Sequence, residues 1–297
     1  MSSAGTLRAH RAHGRNGAAG VNGTGGPVRS ALLYVLMAVV CVVFLFPVYW
    51  VFIKSINGPI AIFQYPPDVI PARFSLANFQ SAFGSFHLHL NFLNTLKIMV
   101  FALFGASLSS AVVGYGFARM RFRGRNALFL LVIATIFVPW DVKVIPQFME
   151  FSALGWINTY LPLIVPLWFG FPFYIFIFRQ FITQIPYELD ESAILDGCGR
   201  VGIFGRIILP NLKPPFVTVL VYEFVRVWND FLDPLIYLNR SDRYTLSLGI
   251  YHMVSPWFMD WGALMAASAL SVLFPVMVFF LLQKYLFGGL ILSGLKA

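Results

Sequence analysis

Long apolar stretches with few or no charges recur along this chain and leave it few possible folds. They lie at residues 31–53, 98–118, 127–144, 159–178, 216–237 and 262–283. A hydrocarbon core ~30 Å thick is crossed by roughly 20 helical residues, because each residue adds ~1.5 Å along the helix axis. A helix also pairs its own backbone N–H and C=O groups, and this is required because lipid offers them no hydrogen-bond partners. The stretches therefore predict an all-α polytopic membrane protein with six transmembrane helices.

The net charge of +9 first suggests an acidic partner such as nucleic acid. However, the basic residues occur in short clusters beside the apolar stretches and do not line a soluble face. Only 11% of the residues are charged, whereas 59% are hydrophobic, which is typical of a membrane protein. Nucleic acid is therefore excluded as the main partner. Cys41 lies in an apolar stretch and Cys198 in a polar segment, so no disulfide is expected.

The basic clusters predict the orientation in the membrane. Residues 1–30 are rich in Gly, Ser and Ala and carry four arginines, which is typical of a disordered basic tail. The connection at 119–125, RMRFRGR, carries four more, and further basic residues follow the fourth and sixth stretches. With six crossings all of these lie on one side. The positive-inside rule then predicts that both termini are cytoplasmic and that residues 31–297 form the six-span domain.

Residues 186–214, PYELDESAILDGCGRVGIFGRIILPNLKP, form the longest interior segment that mixes both charge signs. Pro186 and the acidic residues after it favour the start of a helix, and Gly197 favours its end. A second helix with an apolar stripe should then run to Pro210. The segment predicts a cytoplasmic helical hairpin. The residues alone leave open whether it only closes the bundle or is held by a partner.

The fifth apolar stretch contains charged residues that need an explanation. Glu223, Arg226 and Asp230 lie at i, i+3 and i+7, on one helix face, and intramembrane charges usually face a partner or a water-filled path. Trp228 and Asn229 lie nearby, and an aromatic ring and an amide suit a sugar. Two interpretations stay open: an ion network that holds subunits together, or a lining of a translocation path.

The sequence carries no signature of catalysis or of cofactor binding. His87 and His89 have no Cys or carboxylate at ligand spacing, so no metal site is expected. No Gly-x-x-x-x-Gly-Lys-Ser/Thr phosphate loop occurs anywhere in the chain. If ATP drives this protein, another subunit must bind it, and the chain itself is expected to be non-catalytic.

The polar segment resembles the EAA signature of the membrane subunits of ABC importers. That signature reads Glu-Ala-Ala, three residues, Gly, nine residues, Ile, any residue, Leu-Pro. The matching residues are Glu191, Ser192, Ala193, Gly197, Ile207, Leu209 and Pro210. Ser192 stands where the first Ala usually occurs, and Cys198 stands where a small residue, usually Ala, follows the Gly. Both replacements are small, so the close packing that the motif needs should survive.

Further segments resemble the shorter of the two permease subunits in carbohydrate importers of the maltose and glycerol-phosphate type. They are YPPDVIP at 65–71, GYGFARMRFRGR at 114–125, IPQF at 145–148, INTYLPLIVP at 157–166, FRQFITQIPYELDESAILDG at 178–197, VWNDFLDPL at 227–235 and DWGALMAAS at 260–268. The resemblance extends from about residue 31 to the end of the chain.

The resemblance implies a mechanism, a location and a set of partners. In this family the polar segment is a coupling helix seated in a cleft of a cytoplasmic ATPase subunit. The chain would be a permease of the bacterial inner membrane that imports a carbohydrate. Its partners would be a second permease, a dimeric ABC ATPase that binds ATP and Mg, and an extracytoplasmic solute-binding protein. The residues expected to couple to the ATPase are Glu188, Glu191, Ser192, Ala193, Asp196, Gly197, Ile207, Leu209 and Pro210.

Two alternatives remain at this point. One is an importer permease for another class of solute, which would share the polar segment. The other is a secondary transporter or channel that is driven by an ion gradient and uses the charges of the fifth stretch.

Overall fold

The computed structural model describes residues 27–58, 65–66, 68–71, 73–254 and 259–294. The predicted tail, residues 1–30, lies almost wholly outside these ranges, and its disorder stays a prediction. The described residues form helices and two isolated β-bridges, with no strand. The helices are α1 (Pro27–Ile56), α2 (Ala77–Gly84), α3 (Leu88–Arg119), α4 (Arg125–Ala134), α5 (Trp140–Ala153), α6 (Leu161–Ile164), α7 (Pro172–Gln184), α8 (Glu188–Leu195), α9 (Arg200–Ile203), α10 (Leu209–Asn211), α11 (Lys213–Asn229), α12 (Leu232–Tyr237), α13 (Leu246–His252) and α14 (Trp261–Gly294).

By their internal contacts the described residues divide into two compact units, with the boundary between Tyr49 and Trp50. Within the first unit, α1 exposes large apolar side chains along its length, including Leu32, Tyr34 and Phe44. An apolar surface of this kind is compatible with lipid and not with water. The other helices, from α2 onward, belong to the second unit.

Four helical segments of the described chain are long and apolar enough to cross a membrane. They are Arg29–Ile56, Leu88–Arg119, Leu161–Gln184 and Trp261–Gln283. The segments Arg125–Phe137 and Trp140–Ala153 would supply a fifth if they form one bent span. The predicted fifth stretch corresponds to α11, whose 17 residues reach only about 26 Å. After a break the chain continues into α12. The count of six spans therefore stays a prediction.

The third predicted span, residues 127–144, is not one continuous helix, and whether it crosses the membrane stays a prediction. Helix α4 ends at Ala134, a 3₁₀ turn follows to Phe137, and the axis bends by 100° before α5 begins at Trp140. Pro139 causes the break, because a proline has no N–H and disfavours the helical conformation of the residue before it. Val138 is accordingly extended, with ψ of 114°.

Helix α3 begins ten residues before the predicted second span, at Leu88 instead of residue 98. The added residues include Asn91, Asn94 and Thr95, all of them buried. The Asn94 amide donates to the carbonyls of Asp242 and Tyr244, and the Thr95 hydroxyl accepts from the Leu246 N–H at 2.8 Å. These polar side chains therefore fasten α3 to the segment before α13, which hydropathy cannot reveal.

Within the second unit α3 is the central helix, on which α2, α4, α6, α7, α11 and α13 pack. Small residues on α3 allow this close packing. A Cβ added to Gly114 would lie 2.9 Å from the Phe178 Cβ and 3.1 Å from the Arg179 backbone nitrogen, so α7 touches α3 there. A Cβ at Gly105 would overlap the Trp168 ring, whose N–H donates to the Phe101 carbonyl at 3.1 Å. Small residues let helix backbones approach each other in membrane proteins.

Candidate functional site

The predicted helical hairpin is present, and its first helix is α8. Three acidic side chains, Glu188, Asp190 and Glu191, lie in the first turn, where they complement the positive end of the helix dipole. At the other end Gly197 adopts φ of +83°. Its N–H donates to the Ile194 carbonyl at 3.0 Å, and the next N–H donates to the Ala193 carbonyl at 2.8 Å. This pair of bonds is the Schellman motif, which requires a left-handed residue at its turn.

The second helix of the hairpin differs from the prediction in one respect. Pro210 was expected to end it, but the helix continues through Pro210 to Asn211. The backbone widens into a π-helical turn at Phe204–Ile208, before the proline. A proline has no N–H and its ring crowds the carbonyl four residues earlier, so a wider turn accommodates it without breaking the helix.

The predicted coupling residues divide by exposure. Five of the side chains, those of Glu188, Glu191, Ser192, Asp196 and Pro210, are exposed, and Gly197 is open at the turn. Ala193 is buried and faces the bundle, while Ile207 and Leu209 are half-buried. Two apolar side chains beside the turn, Leu195 at 88% and Val201 at 86%, are almost fully exposed. The hairpin thus presents an outward surface that combines acidic groups with apolar ones.

An ion pair anchors the hairpin to the bundle. The Arg119 Nε, at the end of α3, lies 3.1 Å from the Asp190 Oδ2, and both side chains are less than a tenth exposed. The same guanidinium donates to the Ile185 carbonyl at 2.6 Å and lies 5.4 Å from the centre of the Tyr187 ring. One residue of α3 therefore fixes the start of α8 through three contacts.

A second contact holds the other arm of the hairpin. The Tyr115 hydroxyl, one turn before Arg119, donates to the Arg200 carbonyl at 3.2 Å. Its ring packs on the Phe204 ring at a centroid distance of 5.1 Å. Both arms of the hairpin are thus attached to the last turns of α3, so a displacement of the hairpin would be transmitted to that helix.

The charges of this anchor are unevenly compensated. Burial raises the pKa of the Asp190 carboxyl above its usual range, and the Arg119 guanidinium offsets part of that rise. The Asp190 Oδ1 is buried and has no hydrogen-bond partner in the described part of the chain. The carboxylate consequently depends on Arg119, whereas Arg119 has other contacts.

We expect Arg119→Gln to loosen the hairpin more than Asp190→Asn does. In Arg119→Gln the buried carboxylate loses its counter-charge, at a cost of about 1–3 kcal/mol. The raised pKa means that the folded hairpin binds the Asp190 proton more tightly than the unfolded chain does. The stability of Arg119→Gln should therefore fall as pH rises through that pKa. Hydrogen exchange of residues 186–212, at acidic and at neutral pH, measures both effects.

The double variant Arg119→Gln with Asp190→Asn is the control for this prediction. It removes both charges, so it should recover part of the protection that Arg119→Gln loses. Equal exchange rates in the two single variants would contradict the proposed dependence of Asp190 on Arg119.

The charges of the fifth stretch form a network inside this chain. Glu223 is fully buried, and the Arg226 guanidinium binds it with two nitrogens, at 2.6 Å and 2.9 Å. The Tyr174 hydroxyl donates to the same carboxylate at 2.8 Å. Because Tyr174 lies on α7 and Glu223 on α11, the network joins two helices. The Arg226 side chain is 35% exposed, so one side of the pair stays accessible.

The other candidates for the path occupy different environments. Trp228 is 7% exposed, stacks on Phe274 at 4.7 Å and donates to the Ser271 carbonyl, so its ring is already packed. Asn229 is exposed. Both residues line a cavity of about 430 Å³ between α11, α13 and α14. Asp230 follows α11, and its side chain accepts from the Asp233 N–H at 3.4 Å.

Sequence analysis missed the residues that hold the site in place. The sequence assigns Arg119 only to the positive-inside arginines, and its patterns predict no role for Tyr115 or Tyr174. Their partners lie tens of residues away in the sequence, so no local pattern reveals them. Among the described residues no group of three or more His, Cys, Asp or Glu is placed to hold a metal ion.

Comparisons with known proteins show which family the chain belongs to. Residues 110–290 match the family model "Binding-protein-dependent transport system inner membrane component". The arabinooligosaccharides transport system permease protein AraQ of Bacillus subtilis is 31% identical, over 85% of this chain and 91% of AraQ. The diacetylchitobiose uptake system permease protein DasC of Streptomyces coelicolor is 30% identical, over 84% of this chain and 91% of DasC.

A solved structure has the same fold. It is the crystal structure of a bacterial ABC transporter involved in the import of the acidic polysaccharide alginate, and one of its chains matches with a TM-score of 0.78. The match covers 87% of this chain and 96% of that chain, at 18% sequence identity. The family match spans more than half of the sequence. The chain therefore belongs to the inner-membrane components of binding-protein-dependent transport systems, the multi-pass permease subunits of ABC importers.

Proposed function

We propose that this chain is one of two permease subunits of an ATP-driven importer for a carbohydrate. A sugar, an oligosaccharide or a similar solute would be delivered by an extracytoplasmic solute-binding protein. The relatives support this class of substrate, since AraQ and DasC are named for the transport of arabinooligosaccharides and diacetylchitobiose. A permease for another class of solute is the alternative within the same family.

The observation that carries the proposal is the anchored hairpin. Its outward surface bears exposed Glu188, Glu191 and Asp196 next to exposed Leu195 and Val201, which suits a partner cleft with basic and apolar walls. We assign this surface to the dimeric ATPase. ATP and Mg would bind to that partner, and this chain would contribute no catalytic group.

The coupling path follows from the contacts. A movement of the ATPase would displace α8, and the Arg119–Asp190 pair would pass the displacement to the end of α3. Because α3 packs on α7 and α11, the displacement would reach the helices that carry Tyr174, Glu223 and Arg226. Packed helices transmit such movements because protein interiors are hardly compressible. The proposal requires the hairpin to be cytoplasmic, with both termini on the same side.

The solute path is assigned to the accessible side of α11. Asn229 is exposed beside the cavity that also reaches Ser247, and an amide and a hydroxyl can bind sugar hydroxyls. Arg226, with its partly exposed side chain, would lie near the same path. Trp228 would support α11 from within and would not stack on the solute.

Transport by the reconstituted complex tests the proposal. Vesicles that contain both permeases and the ATPase should take up the carbohydrate that the cognate binding protein retains, only when ATP is present. Binding measurements on that protein against mono-, di- and oligosaccharides and glycerol phosphates identify the solute. Uptake that survives ATP depletion but collapses with a protonophore would instead favour a secondary transporter.

A further inference from the structure

Five arginines lie near the join of α3 and α4, and their charges are not balanced. They are Arg119, Arg121, Arg123, Arg125 and Arg179. Within the described residues Arg119 alone among them has an acidic partner, Asp190. Arg179 lies over the Phe129 ring at 4.0 Å, and its Nε has no hydrogen-bond partner in the same part of the chain. The other four arginines have no counter-charge there, and such a cluster favours a bound anion.

A cavity of about 450 Å³ opens at this cluster. It is lined by Arg121, Phe122, Gly124, Arg125, Asn126 and Ala127. One guanidinium nitrogen of Arg125 donates to the Met120 carbonyl at 3.3 Å, which leaves its other N–H groups available. No hydrogen bond from Arg121 to another side chain or to the backbone is found in the described chain, where this side chain is exposed. The lining therefore supplies two cationic groups around one space.

The start of α4 adds to the positive potential of the same cavity. Gly124 precedes the helix with φ of +78° and has no side chain to cap it. No acidic residue lies in the first turn. The first backbone N–H groups of a helix lack intrahelical acceptors and bear a partial positive charge. In α4 the Arg125 N–H donates to the Phe122 carbonyl at 3.4 Å, and the N–H groups of Asn126 and Ala127 lie next to the arginines.

Apolar side chains surround this cavity. Phe122 lies between Arg121 and Arg123, and its ring packs on Phe117 at 6.1 Å. Phe117 in turn packs on Phe129 of α4 at 5.4 Å. Along α4, Leu130 and Leu131 are exposed and apolar. A charged cavity at the start of a helix whose following turns are exposed and apolar matches the charge pattern of a phospholipid, which joins a phosphate to acyl chains.

We propose that this cavity binds the phosphate headgroup of an anionic phospholipid. Arg121 and Arg125 would contact the phosphate through their side chains, and the backbone N–H groups of Asn126 and Ala127 would complete its coordination. The acyl chains would lie along the exposed leucines of α4. The site is separate from the hairpin surface assigned to the ATPase, and it does not depend on which solute is carried.

Native mass spectrometry of the complete transporter in detergent tests the site. The probes are phosphatidylglycerol, phosphatidylcholine and soluble glycerol 1-phosphate. Phosphatidylglycerol should bind most tightly, and Arg121→Gln and Arg125→Gln should each weaken it about tenfold, because each would lose a charge-assisted hydrogen bond to the phosphate worth about 1.5 kcal/mol. Arg121→Lys keeps the charge and should retain most of the affinity.

Arg123→Gln is the matched control, because Arg123 lies in the same loop and does not line the cavity. It should leave the affinity for phosphatidylglycerol within about twofold of the unchanged protein, as expected for a residue without direct contact. An equal loss in Arg123→Gln, or equal binding of phosphatidylcholine, would overturn the proposal. Full competition by glycerol 1-phosphate would also overturn it, because the ligand would then be a soluble phosphate and not a lipid. Binding to the permease pair alone, and not to the complete transporter, would assign the cavity to the ATPase interface.

Discussion

Replacing Gly197 by proline is expected to abolish transport while the protein still inserts into the membrane. Gly197 has φ of +83°, whereas proline is fixed near about −65°. The substitution also removes the N–H that donates to the Ile194 carbonyl. The end of α8 would therefore unwind, and the exposed coupling surface would lose its shape. Insertion should persist because the change lies outside the apolar spans. Uptake, ATP hydrolysis and the amount of protein in membranes measure these effects.

Alanine at the two glycines of the turn provides a matched control. A Cβ would meet nothing within 4 Å at either Gly197 or Gly199, so steric overlap plays no part at either position. The two differ in backbone conformation, because φ of Gly199 is −75°. Gly197→Ala should cost about 1–2 kcal/mol, the penalty of a left-handed residue, and Gly199→Ala much less. Normal substrate-stimulated ATP hydrolysis in Gly197→Pro would contradict the coupling role of the hairpin.

The hairpin could be predicted because its signals are local. Proline, acidic residues and glycine each act on neighbouring backbone groups, so their order along the chain specifies a helix, a turn and a second helix. The prediction that Pro210 ends the second helix is wrong because a helix can accommodate a proline by widening locally, as it does at Phe204–Ile208. Composition alone does not separate a widened helix from an ended one.

The sequence predicts the number of apolar spans only approximately, and it does not predict where each helix begins and ends. Hydropathy located the helices that became Arg29–Ile56, Leu88–Arg119, Leu161–Gln184 and Trp261–Gln283. It failed where polar side chains are buried, as at Asn94 and Thr95, because their partners lie about 150 residues away. It also failed at Pro139, where a bend of 100° follows an otherwise uniform apolar run.

The candidate site was predicted in composition but not in its connections. The spacing of Glu223 and Arg226 correctly placed them on one face, and the structure adds Tyr174 from another helix. Similarly, the sequence predicts that Asp190 lies in the first turn of a helix, whereas its ion pair with Arg119 is seen only in the structure. Long-range pairs of this kind decide how the site is held, and a single sequence does not specify them.

Replacing Glu223 by alanine should cause the largest loss of stability in this chain. The carboxylate is fully buried and accepts hydrogen bonds from both Arg226 and Tyr174. Removing one partner of a buried ion pair costs about 3–5 kcal/mol, because the remaining charge is left uncompensated in a medium of low dielectric constant. The thermal unfolding midpoint of the assembled complex should fall accordingly. Tyr174→Phe deletes one neutral donor and should cost only about 1 kcal/mol.

The same residue separates the two interpretations of these charges. If the network is structural, Glu223→Gln combined with Arg226→Gln should recover much of the stability that Glu223→Ala loses, since no unpaired charge remains. Transport would then follow the amount of folded complex. If Arg226 lines the path, the double variant should be stable but should transport poorly, because its partly exposed guanidinium is gone. A Glu223→Ala protein as stable as the unchanged chain would contradict the structural role and leave the path as the explanation.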